Sequence, residues 1–172
     1  MDSPKLADLK KELNYRDAQE WKELCLKLAK YKTENKELLH YLLFYSDRKE
    51  DYVEEVKAII ANTFDDLHPS IYQATKQLRK LVRVMNKHIK YISDKACETE
   101  LVLYLSTLFI EHPIVKINSK SSIGLLYRQL KRALKLIPKL DEDLQFDYQQ
   151  QFDEVIAALK KKRSAFSLRE IE

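Results

Sequence analysis

Glu37 and His40 are the residues closest to a metal-binding pattern in this sequence. A carboxylate and an imidazole spaced i,i+3 share one helix face, and di-iron carboxylate bundles use two such pairs plus two further glutamates. Asp65 and His68 repeat the spacing, but His68 stands before Pro69, where a helix breaks. One full copy does not make that site, so neither metal nor cofactor is expected. His88 is expected on a helix surface and His112 at a helix end before Pro113. Cys25 and Cys97 form no CxxC pair and have no sequence neighbour that would lower a thiol pKa. Acidic runs such as Glu54-Glu55 and Asp141-Glu142-Asp143 are common, and acids in the first turn of a helix favour its macrodipole without doing chemistry. No catalytic residue is assigned. A metal-dependent helical-bundle enzyme remains only a remote alternative, resting on Glu37 and His40.

The side chains that do form a pattern are cationic. Residues 69–139 hold 14 basic and four acidic side chains, net +10, while the segments on either side are each net −3. The overall charge of +4 therefore conceals a strongly basic middle. At about 100° per residue, Lys76, Arg79, Lys80, Arg83, Lys87 and Lys90 fall in one sector of a helix. Ile71, Ala74, Leu78, Leu81, Met85, Ile89 and Ile92 take the opposite sector. Arg128, Lys131, Arg132, Lys135 and Lys139 form a second such stripe, opposite Leu126, Leu130, Ala133 and Ile137. Like charges at i,i+4 repel by a few tenths of a kcal/mol per pair. A face that tolerates this repulsion is expected to bind an anion. Tyr72 lies in the basic sector, where a nucleic-acid base could stack on it.

The elements that must carry these stripes follow from composition. The chain has 172 residues, 45% of them hydrophobic and 34% charged, with a single glycine. Sheets with tight turns and phosphate-cradling loops need residues that accept positive φ, so sandwiches, barrels, Rossmann folds and P-loops are excluded. An all-α protein of about eight helices remains, expected as one domain over 1–172. Ser3-Pro4 predicts the first helix start, Asp17 a cap on the second, and Thr33 or Asn35 the start of the third. Asp47 or Asp51 opens a fourth, and long helices follow at about 70–93 and 94–111. Residues 113–121 read as the one extended loop, before helices at about 122–137 and 141–161. The tail 164–172 carries Phe166, Leu168 and Ile171 at helical spacing, suited to docking as a short cap.

Shifting the chain by 52 positions lays residues 70–87, SIYQATKQLRKLVRVMNK, over residues 122–139, SIGLLYRQLKRALKLIPK. Ser70, Ile71, Gln77, Leu78 and Lys87 recur as Ser122, Ile123, Gln129, Leu130 and Lys139. Each copy is followed by a second helix, which gives αα units near 69–112 and 122–161. In this the chain resembles HEAT and armadillo repeat proteins. The resemblance implies a short right-handed αα-repeat solenoid and carries over no functional residue; an irregular helical bundle is the alternative.

The expected function is a non-enzymatic scaffold whose basic face holds an acidic protein segment, with non-specific nucleic-acid binding through the same face as the alternative. Self-association, an acidic flank against the basic middle, is a third route. The longest mostly apolar run, Leu101 to Ile110, is about half of what a membrane span needs. The start of the chain shows no apolar signal segment. No membrane association is expected, and the two cysteines suit a cytoplasmic location.

Overall fold

The computed structural model describes residues 4–115 and 119–171. Its eight α-helices are α1 (Leu6–Leu13), α2 (Ala18–Tyr31), α3 (Thr33–Phe44), α4 (Lys49–Asp65), α5 (Ile71–Ile92), α6 (Lys95–Glu111), α7 (Lys120–Leu136) and α8 (Glu142–Lys162). Short 3-10 turns occur at Ile137–Lys139 and Leu168–Glu170, and there is no strand among the described residues. The all-α expectation of eight helices holds. Where length alone suggests one domain, the chain divides into two compact units, residues 1–47 and 48–172.

Side-chain caps account for the starts of two helices. Asp17 closes a capping box on α2, accepting from the Glu20 N–H while the Glu20 carboxylate accepts from the Asp17 N–H. Asp94 accepts from the N–H groups of Ala96 and Cys97 to start α6. Elsewhere the expected caps shift. Helix α1 begins at Leu6 with Lys5 as its N-cap, and Ser3 lies outside the described residues. Helix α3 begins at Thr33 as expected, though without a side-chain cap, whereas α4 begins at Lys49 after an uncapped Arg48. Helix α7 starts two residues earlier than the loop reading places it, and Lys116 in that loop lies outside the described residues. Between α5 and α6 the backbone turns at Ser93, with φ 51°. Glycine usually takes that left-handed cap, but the chain's one glycine, Gly124, sits inside α7. The Ser93 hydroxyl instead donates to the Lys90 carbonyl at 2.8 Å.

In residues 48–172 the helices form two layers. Helices α4 and α6 run parallel, joined by Lys49–Asp94 at 2.9 Å, Lys57–Glu100 at 2.5 Å and the Phe64–Phe109 ring pair. Helix α8 runs parallel to α6, with Tyr148 Oη donating to Glu100 at 3.4 Å and Lys162 Nζ donating to the carbonyls of Ile110 and Glu111. Helices α5 and α7 make the second layer, parallel to each other and antiparallel to the first. Thr75 meets Ser122 across them at 3.5 Å, and Arg132 Nη1 donates to Asn86 Oδ1 at 2.5 Å. The core between the layers includes Val56, Ile60, Leu78, Met85, Leu101, Leu105, Leu126, Leu130 and Leu159, all fully buried. Each such side chain contributes roughly 1.5–3 kcal/mol of burial.

Helix α6 is apolar around most of its circumference, so it belongs at the centre of a layer. Its polar residues Thr99 and Ser106 satisfy themselves by donating to the carbonyls four residues back. No described helix is long and apolar enough to cross a membrane. The tail docks: Phe166 and Ile171 are buried, and the Phe166 ring packs on Tyr127 of α7.

In residues 1–47, α2 and α3 form a helical hairpin bent at Lys32, where Asn35 Nδ2 donates to the Leu28 carbonyl at 2.9 Å. Tyr41 is the one residue buried there among those described.

Candidate anion-binding face

The parallel pairing of α5 and α7 brings the two basic stripes onto one side of the second unit. Helix α5 is amphipathic over 22 residues: its buried side is Ala74, Leu78, Leu81, Met85, Ile89 and Ile92. Ile71, expected among them, is instead exposed in the first turn, ahead of the point where α7 covers the helix. On the outer side Lys76, Arg79, Lys80, Arg83 and Lys90 are exposed, joined by Arg128 and Lys135 of α7. Among the described residues none of these seven is in an ion pair. Lys87 and Lys131 are half-buried and are not free cations.

Arg132 has a different role. Its Nε donates to Glu98 Oε1 at 2.6 Å and its Nη1 to Asn86, so its charge is neutralised inside the fold, where it ties α7 to both α5 and α6. The candidate face therefore lacks Arg132. Periodicity alone does not reveal this, because Glu98 is 34 residues away and on another helix.

Tyr72 is 76% exposed and lines a shallow groove with Ile71, Thr75, Lys76 and Arg79 of α5 and Ser121 of α7. An exposed ring flanked by two cations has the chemistry of a stacking platform.

The other layer carries the opposite sign. A cleft of about 540 Å³ between α6 and α8 is lined by Glu100, Glu111, Asp147 and Glu154, with Tyr104 and Tyr148. Burial lowers the Lys57 pKa, but the hydrogen bonds it donates to Glu100 and Glu54 outweigh it and hold the ammonium above its ordinary value. Burial, reinforced by the Glu100 charge, pushes the Tyr148 phenol well up. This acidic cleft escaped the sequence reading because its carboxylates come from two helices and lie 36 or more residues apart across it. The one clue was Lys57, a lone cation among Glu50, Asp51, Glu54 and Glu55.

The remaining chemistry-bearing residues have local roles. The His40 ring lies 5.1 Å from Phe44 and 5.4 Å from Tyr45. His68 Nδ1 accepts from the Ser70 N–H at 2.9 Å, holding the turn before α5, and His88 Nδ1 bonds Tyr52 Oη at 2.7 Å. No group of three or more His, Cys, Asp or Glu is placed to hold a metal ion among the described residues. Both cysteines are free thiols. Burial, then the charge of Asp94, pushes the Cys97 thiol up to about 12, so it stays protonated and unreactive at neutral pH. Lys162 satisfies the carbonyls at the end of α6, while Arg163 pairs with Glu170 at 3.5 Å and lies over the Tyr127 ring.

Compared with protein families, with curated proteins and with solved structures, the chain finds no match in any of the three.

Proposed function

We propose that residues 48–172 form a non-enzymatic interaction module that binds an acidic segment of a partner protein through the α5–α7 face, in a reducing, cytoplasmic setting. The observation that carries this reading is that seven exposed cations on two adjacent parallel helices lack ion-pair partners. Carboxylates of the same unit, Glu100, Glu111, Asp147 and Glu154, instead gather in the cleft of the opposite layer. Layered αα units displaying a broad surface are the arrangement that helical-repeat proteins use for partners, which further supports the proposal. The anchoring set is Lys76, Arg79, Arg83, Arg128 and Lys135, with Lys80 and Lys90 at the margins.

The test is fluorescence anisotropy of a labelled oligoglutamate peptide against the chain and against the variant R79E/R83E/R128E. Binding at low salt that weakens at least tenfold in the variant supports the reading; equal binding by both overturns it. Tyr72 favours a second reading, nucleic acid held along its backbone with a base stacked on the ring. Labelled single-stranded oligonucleotides decide between the two. Six or more phosphate contacts require a loss of about a thousandfold in affinity between about 50 and 200 mM salt. That slope, together with weaker binding by Y72A, would replace the acidic-peptide reading with the nucleic-acid one.

A further inference from the structure

Helices α2 and α3 each carry an uncharged sector far wider than one helix–helix seam requires. At about 100° per residue, Tyr31, Leu24, Leu28, Trp21, Cys25, Ala18 and Ala29 occupy roughly 160° of α2 without a charged side chain. On α3, Leu38, Leu42, Asn35, Leu39 and Leu43 span about 140° in the same way. The hairpin seam takes up part of each arc: Cys25 and Ala29 of α2, and Asn35 and Leu39 of α3, are half-buried. On one side of that seam, Trp21, Leu24, Leu28 and Tyr31 of α2 and Leu38 and Leu42 of α3 remain exposed, Leu28 at 61%, Tyr31 at 78% and Leu42 at 52%.

We propose that this side of the hairpin pairs with the same side of a second copy of the chain, closing a four-helix bundle across a two-fold axis. Area is the first argument. At about 200 Å² for a fully exposed large side chain, the six residues leave on the order of 600 Å² of apolar surface open. That is at the upper end of what a typical monomer exposes in one patch, about 300–600 Å². Two such patches bury about 1,200 Å² between them, the lower bound of a stable specific interface. Charge is the second argument. A two-fold interface sets a patch against itself, so its chemistry must be self-complementary. An uncharged apolar patch meets that condition, whereas the cationic α5–α7 face would repel its own copy. Residues 1–47 carry nine basic and nine acidic side chains and so add no net repulsion. An amphipathic hairpin with one buried residue is half of a bundle; the pairing supplies the other half.

Sedimentation velocity of the full chain from about 1 to 100 µM tests the pairing. The expected species is twice the 20.4 kDa chain mass, dissociating on dilution. Trp21 is the chain's single tryptophan and lies in the patch, so its quenching by acrylamide must rise as the dimer dissociates. The variant L28E/L42E is expected to sediment as a monomer at every concentration. In case that change unfolds the hairpin, Y31R offers a milder one: a cation in the last turn of α2 is locally favourable, yet in the dimer it puts an unpartnered charge into an apolar interface and should weaken it at least tenfold. A chain monomeric at 100 µM overturns the proposal. So does a dimer that survives both variants, or one in which Trp21 quenching is independent of concentration. The reversal R79E/R83E/R128E leaves the dimer intact if the hairpin is the interface. Dissociation by that reversal would overturn the proposal, independently of whether the basic face binds acidic peptides.

Discussion

Among the described residues, 48–172 bury 32 apolar side chains, whereas 1–47 bury Tyr41 alone. Both units are nevertheless built from helices rich in leucine. What differs is the number of neighbours available to each helix. In the second unit α6 is flanked by α4, α7 and α8, so leucines on every side of it find partners. In the first unit α2 and α3 have chiefly each other, and a single seam covers only part of an apolar arc about 140–160° wide. Burial is thus a property of the layer, and leucine content alone does not report it.

The same substitution placed in each unit tests this contrast most severely. Leu101→Ala, at a fully buried position of α6, is expected to cost about 2–5 kcal/mol in chemical denaturation, because it leaves a cavity in a packed layer. Leu6→Ala in α1, where the side chain is 82% exposed, should change stability by less than about 0.5 kcal/mol. Similar costs at the two sites would show that α1 is packed and would erase the distinction.

A smaller effect is expected from Arg132, a cation of the basic stripes that the fold consumes. Glu98→Ala removes the carboxylate from Arg132 at a half-buried site and should cost about 1.5–3 kcal/mol. Arg128→Ala, on the same helix but exposed, should cost almost nothing. Equal losses would return Arg132 to the candidate surface.

The smallest effect concerns pH. Burial acts to raise the Asp94 carboxyl, but its hydrogen bonds from Lys49 and from the Cys97 and Ala96 N–H groups bring it below the ordinary aspartate value. Because the folded pKa is below the unfolded one, the carboxylate stabilises α6 fully above about pH 4. That contribution is lost as pH falls through the depressed folded value. Asp94→Ala should therefore destabilise by about 1 kcal/mol at pH 7, and its difference from the parent chain should vanish well below pH 4. A difference that persists there would mean that packing, not charge, carries the cap.

Much of the second unit was legible in advance. The stripe Ala74, Leu78, Leu81, Met85, Ile89 and Ile92 is buried as its spacing predicts, as are Leu126, Leu130, Ala133 and Ile137. Asp94 caps α6 as expected, as Asp17 caps α2 in the first unit. Each of these signals lies within a few residues of the position it determines. The first unit was less legible. Trp21, Leu24 and Leu28 have the spacing of a core face, yet they remain exposed because spacing shows only that a face is apolar, not what covers it.

The sequence by itself determined that this is a helical protein, where most helices begin, and that α5 and α7 each carry a basic stripe opposite an apolar one. These follow from capping, from the 3.6-residue period and from the shortage of glycine, all of them local properties of the chain. Only the tertiary structure decided that α5 and α7 lie parallel and adjacent, that Arg132 turns inward to Glu98 while Arg128 stays exposed, and that acidic side chains from α6 and α8 meet in one cleft. These depend on pairs of residues 34 or more positions apart. Such pairs are fixed by how the apolar faces of whole helices pack together, which no short stretch of sequence specifies.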